Sequence, residues 1–182
     1  MFRYQILIEY EGTNFRGWQI QKKGKTVQGL LQDKISKLLK EKIIIYGAGR
    51  LDVGVHAKEQ SAHFDCKNKI VKFGRFLKSI NYFLNKDGIA ILKIKKRSND
   101  FHARFSAKIR VYNYVIINRT SGPVLDENRG WHVIKNLDFG IDSCIKNKDY
   151  GLVTGPISKE NIIDGGYLFS GHTERIIAEN WQ

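Results

Sequence analysis

The sequence predicts an α+β fold whose elements follow the order βαββαβ. Three observations predict it: two stretches with apolar residues at helical spacing, four short strand-like runs of which three are rich in Ile, and Gly-containing breaks between them. That order is the ferredoxin-like split βαβ arrangement, an antiparallel sheet with helices on one face and the other face available to a ligand.

Each element has its own signal. Tyr4-Gln5-Ile6-Leu7-Ile8-Glu9-Tyr10 reads as the first strand and leads into a Gly-containing loop that carries Trp18. Thr26 precedes an amphipathic helix with Val27, Leu30, Leu31, Ile35, Leu38 and Leu39 on one side. The β-branched run Ile43-Ile44-Ile45-Tyr46 reads as a buried strand that ends in Gly47-Ala48-Gly49. Gln60 to Phe64 reads as the third strand, Phe73, Phe76, Leu77, Ile80, Phe83 and Leu84 mark the second helix, and Gly88 to Lys95 is the fourth strand. The alternation from Arg110 to Asn118 is expected to extend the sheet by one more strand.

After Trp131-His132 the texture changes. Residues 152–156 read as a short buried strand, 159–163 start a helix, and a terminal helix begins at His172. The expected division is a main domain over 1–136 and a short α/β segment over 137–182.

The formal net charge is +13. From Asn136 onward acids outnumber bases seven to four, so the positive excess lies in the part before it. Such an excess favours a phosphate-rich partner, because each Lys or Arg set against a phosphate releases condensed counterions. A solvated, lysine-rich surface explains the charge alone equally well. The start of the chain lacks the layout of a secretory signal, and no apolar run approaches membrane-spanning length. Cys66 and Cys144 form no CxxC pair, which argues against a disulfide framework or a zinc site and places the chain in a reducing cytoplasm.

The loop Gly49-Arg50-Leu51-Asp52-Val53-Gly54-Val55-His56-Ala57 follows a buried strand, where a rigid scaffold can present side chains into a cleft. In an extended stretch Arg50, Asp52 and His56 share a side. An Asp beside an Arg is expected to stay ionised at neutral pH, which suits a nucleophile or general base. A Gly-rich turn closed by a structural salt bridge is the plainer reading of the same residues. His56, His63 and Cys66 match no zinc spacing and read as satisfied or surface residues. Phe101-His102-Ala103-Arg104-Phe105 and Arg110-Val111-Tyr112-Asn113-Tyr114 interleave bases with aromatics, a texture able to stack on nucleobases and grip phosphates.

With these residues in view the chain resembles the tRNA pseudouridine synthase A family. The resemblance rests on Tyr10-Glu11-Gly12-Thr13, Phe15, Gly17-Trp18-Gln19, Gln21 and Thr26-Val27-Gln28-Gly29, on the 49–57 loop with Gln60 after it, and on the block from Phe101 to Tyr114. It covers roughly residues 4–135. It implies conversion of uridine to pseudouridine in the anticodon arm of tRNA, with no metal or cofactor and with a homodimeric assembly. Asp52 would be the catalytic nucleophile, Tyr112 would pack against the base, and Arg50 would hold the extruded nucleotide. His56, Gln60 and Arg104 complete the expected substrate-binding set.

Two departures stand out. Leu51 replaces the family's Thr and Val53 a smaller residue, and the family's later block, with a basic partner for the catalytic Asp, is not recognisable. Residues 152–179 instead resemble a segment of 4-hydroxythreonine-4-phosphate dehydrogenase, with His172 on a metal-ligand position of that family. One histidine does not make a metal site. The competing expectations are a catalytically inactive RNA-binding remnant and, further down, a fragment of a metal-dependent dehydrogenase.

Overall fold

The computed structural model describes residues 1–117, 119, 121–127, 129–133, 139, 142, 143, 145 and 146. The expected strand at 152–156, the helices from 159 and 172, and His172 lie outside the described residues. Two compact units divide the chain, residues 1–111 and 112–182, earlier than the boundary expected after residue 136.

In the first unit the order is β1 (Phe2–Tyr10), α1 (Val27–Leu39), β2 (Ile45–Gly47), β3 (Ala57–Cys66), α2 (Phe73–Leu84) and β4 (Ile89–Arg97), with a short 3-10 turn, Asn85–Asp87, before β4. The four strands form one sheet in the order β2-β3-β1-β4, and every neighbouring pair is antiparallel. Mixed α and β structure around an antiparallel sheet with two helices is therefore established.

Strand periodicity explains the core. In β1, Tyr4, Ile6, Ile8 and Tyr10 point to one side and are buried, as are Ala62, Phe64 and Cys66 of β3. They join Val27, Leu31 and Ile35 of α1 and Phe76, Ile80 and Leu84 of α2 in one apolar cluster, so both helices cover this one face. Each such fully buried Leu, Ile or Phe contributes about 1.5–3 kcal/mol of transfer free energy.

Ile89, Ile91 and Ile94 of β4 break strict alternation yet are all buried. A register shift reconciles them: Leu7 pairs with Lys93 and Ile8 with Ile91, leaving Leu92 as the extra residue of a bulge. The Asn81 side chain of α2 receives the Ile91 N–H at 2.8 Å and donates to the Ile91 carbonyl at 3.0 Å, which fastens the helix to the strand at this point. At its start α1 is capped by Thr26, whose hydroxyl oxygen accepts the Gly29 N–H at 3.3 Å.

The other sheet face carries Arg3, Gln5 and Leu7 of β1, Ser61, His63 and Asp65 of β3, and Lys93, Lys95 and Arg97 of β4, as the register requires. It is only partly open. Arg3 grips Asp65 with two hydrogen bonds of 2.8 and 2.7 Å, and it also donates to the Phe101 carbonyl at 2.8 Å and to the Asn99 carbonyl. The segment after β4 is thereby drawn over His63.

The expected fifth strand at 110–118 does not extend this sheet. Residues 110–115 are irregular, and only β5 (Ile116–Ile117) pairs, in parallel with β6 (Trp131–His132), in a separate two-stranded sheet of the second unit. Alternation marks a segment able to pair but does not name its partner. Here the partner is a short stretch beside it in sequence, reinforced by the Trp131 N–H on the Val115 carbonyl at 2.8 Å.

Candidate active site

The loop between β2 and β3 is held by backbone contacts from a second loop, the one between β1 and α1. The Trp18 N–H donates to the Leu51 carbonyl at 2.9 Å. A Cβ on Gly17, whose φ is +79°, would lie 2.7 Å from the Leu51 oxygen, and one on Gly12 would lie 2.1 Å from the Val55 oxygen. Both positions require glycine, because a backbone atom occupies the space that a side chain would need.

Further bonds fix the two ends of the loop. The His56 Nδ1 accepts the Gly12 N–H at 3.1 Å, and the Gln60 side chain donates to the Gly49 carbonyl at 2.8 Å. Arg110 bridges two segments: its guanidinium donates to the Ala48 carbonyl at 3.1 and 3.3 Å and to the Arg104 carbonyl at 2.9 Å.

Asp52 sits at the exposed bend of this frame, and its own carbonyl accepts the Val55 N–H at 3.3 Å. The turn at Val53-Gly54 follows Asp52, so the chain does not run extended from Asp52 to His56. Among the described residues Arg3–Asp65, Lys25–Asp87 and Lys37–Asp33 form ion pairs, and none of these joins Arg50 to Asp52. Asp52 is thus presented, not buried, with Arg50 also exposed.

The other expected site residues fall into two groups. His56 and Gln60 act on the loop backbone, and Arg104 lies exposed in the turn after β4. Tyr112 is exposed and belongs to the second unit. Gly12, Gly17 and Arg110 are the supports that a reading centred on Asp52 passed over. Their signal lay in the Glu11-Gly12-Thr13 and Arg16-Gly17-Trp18 runs, where glycines flank loop positions.

His63, read from the sequence as satisfied or superficial, is 1% exposed, and its Nδ1 accepts the Ala103 N–H at 3.2 Å. Burial lowers its pKa to about 4, with help from the neighbouring His102 and Arg3. The folded protein therefore binds this proton more weakly than the unfolded chain, whose histidine titrates near 6.5. Between those two values acidification favours unfolding, by on the order of 3 kcal/mol in all. Urea melts at pH 7 and pH 4.5 should show this loss. A His63→Gln chain should show a flatter pH slope whatever its absolute stability, and an unchanged slope would assign the loss to other groups. Asp65 adds to the trend: its hydrogen bonds from Arg3 hold its pKa below the usual value, so its contribution also fades in acid.

With this geometry in place the comparisons with known proteins become informative. The sequence model of a family described as tRNA pseudouridine synthase matches residues 6–106, more than half of the chain. The chain belongs to the tRNA pseudouridine synthase family. Relatives named tRNA pseudouridine synthase A are 63% identical over 155 residues in Pelagibacter ubique (strain HTCC1062) and 46% identical over 145 residues in Ehrlichia ruminantium (strain Gardel). A third, from Anaplasma marginale (strain Florida), is 42% identical over 138 residues. These alignments cover 82%, 79% and 75% of this chain and 63%, 58% and 56% of the relatives, so the chain spans under two thirds of their length.

A second family model, pyridoxal phosphate biosynthetic protein PdxA, matches residues 67–181. The two matches overlap on 67–106, where β4 is hydrogen-bonded to β1 and α2 packs in the shared core. Sequence similar to that second family thus continues past the synthase match in the same chain.

Proposed function

We propose that the chain is a pseudouridine synthase acting on uridine in the anticodon arm of tRNA, with Asp52 as its nucleophile. The observation that carries this reading is the presentation of Asp52 on a loop pinned by Gly12, Gly17, His56 and Gln60, within the part matched to the family.

The chemistry needs few parts. Uridine and pseudouridine are isomers, so the N1–C1′ bond breaks, a C5–C1′ bond forms, C5 gives up its proton and N1 gains one. No oxidant or reductant enters. A carboxylate that attacks C1′ holds the ribose while the released uracil turns, and C5 then displaces it. The target must first leave its stack, which assigns Arg50, Arg104 and Tyr112 to gripping and packing the extruded nucleotide.

The finer reading of the fold goes with this proposal. The βαββαβ order and the β2-β3-β1-β4 sheet support a ferredoxin-like domain, taken as the core of a catalytic part over 1–136, with 137–182 as a separate appended segment. The net charge of +13 favours tRNA as the partner, and a cytoplasmic setting goes with a tRNA-modifying role. A homodimer rests on the family resemblance alone.

Incubation of the purified chain with unmodified tRNA, without added metal or cofactor, is expected to yield pseudouridine. A second reading draws on the absence of an Arg50–Asp52 pair among the described residues: an RNA-binding module that has lost turnover. Salt-sensitive tRNA binding with no pseudouridine formed would decide for that second reading.

A further inference from the structure

Tyr46 of β2 and the His102 and Phe105 rings in the turn after β4 form a continuous row on the sheet face opposite the helices. Tyr46 and His102 lie 5.9 Å apart between centroids, and His102 and Phe105 lie 4.5 Å apart. Phe105 is 77% exposed and Tyr46 45% exposed, so neither ring is consumed in forming the core. We propose that this row is a stacking ledge for the unpaired RNA bases that flank the target uridine. The identity of that target rests on the synthase reading above.

The ledge is rigid from beneath. Tyr46 stacks on buried His63 at 5.1 Å with 21° between the planes, and His63 accepts the Ala103 N–H. Within the turn, the Ser106 hydroxyl oxygen accepts the His102 N–H at 3.0 Å and the Ser106 N–H donates to the His102 carbonyl at 2.8 Å. Arg3 holds the Phe101 carbonyl and Arg110 the Arg104 carbonyl. A turn held in this way leaves less backbone freedom to be lost when a base settles on its rings.

Charge on the same face suits the same ligand. The Arg104 guanidinium lies 5.8 Å from the Phe105 ring and that of Arg97 lies 5.0 Å from Phe101. Lys93, Lys95 and Arg97 line β4 on this side. Aromatic rings for the bases with cations for the backbone are what single-stranded nucleic acid requires. A purely apolar partner would leave those cations unanswered.

The position links the ledge to the reaction. β2, which carries Tyr46, runs into the Asp52 loop, and the one Arg110 guanidinium ties Ala48 at the foot of that loop to Arg104 in the ledge. Turning a uridine out of its stack strips its neighbours of a stacking partner. The ledge replaces that partner and so favours the flipped state.

The test uses the full chain and a stem-loop RNA with 2-aminopurine beside the loop uridine. Quenching of the fluorophore on binding is expected. Phe105→Ala should weaken loop-RNA affinity about tenfold or more while leaving affinity for a fully paired duplex of the same length unchanged, and Phe105→Trp should restore it. Circular dichroism melts confirm that the exposed ring is not needed for folding. Equal loop-RNA affinity in Phe105→Ala and the parent, an equal loss for the duplex, or no loop-RNA binding at all overturns the ledge. Failure of the synthase reading looks different: quenching and the Phe105 effect persist, and no pseudouridine forms.

Discussion

An Asp52→Ala chain is expected to form pseudouridine at least on the order of a thousandfold more slowly than the parent, with tRNA affinity nearly unchanged. The side chain lies on an exposed bend and forms no ion pair with Arg50 among the described residues, so its removal takes nothing from the core. A surface change of this kind alters stability by about 0.5 kcal/mol or less. The loss therefore falls on the chemical step. Single-turnover assays with tRNA in excess of its dissociation constant separate the two, and a variant that still isomerises at the parent's rate would remove Asp52 from the mechanism.

Gly12→Ala is expected to damage the site without touching Asp52. The added methyl would meet the Val55 oxygen at 2.1 Å; that oxygen is backbone, and a Cβ has no rotamer by which to move aside. One of the loops must yield. Crowding of this sort costs about 1–3 kcal/mol, and a displacement of the carboxylate by roughly 1 Å costs on the order of a hundredfold in rate. The same shift disturbs the Gly12 N–H bond to His56. Thermal melts and kcat measured together check the prediction: a small fall in Tm with a large fall in kcat is the expected pattern. Unchanged kcat would mean that the loop tolerates movement.

Much of the fold was legible because its elements carry local signals. Thr26 announces α1 through the hydroxyl that caps it, and the spacing of Phe76, Ile80 and Leu84 gives the buried face of α2. The alternation of Tyr4, Ile6, Ile8 and Tyr10 gives the inward face of β1. What escaped was pairing at a distance. Arg3 and Asp65 carry no mark in sequence that 62 positions separate ion-pair partners, whereas Arg50 and Asp52, two apart, suggested a pair that is not among the ion pairs of the described residues. The 110–118 stretch alternates as a strand should, but alternation is blind to which edge accepts it. Asp52 was singled out as a candidate from its Gly-rich setting and from the family resemblance, while the loop's supports, Gly12, Gly17 and Arg110, act through backbone atoms and leave only glycines or a lone arginine as traces.

The clasp around residues 48–60 draws on segments far apart in the chain: Gly12 and Trp18 from one side, Arg110 from another, Gln60 from within. No short peptide that includes Asp52 reproduces it, because the ordering entropy of the bend is met by the cooperative assembly of the whole sheet and its helices. Melting of the sheet is therefore expected to release the bend at Asp52 along with it.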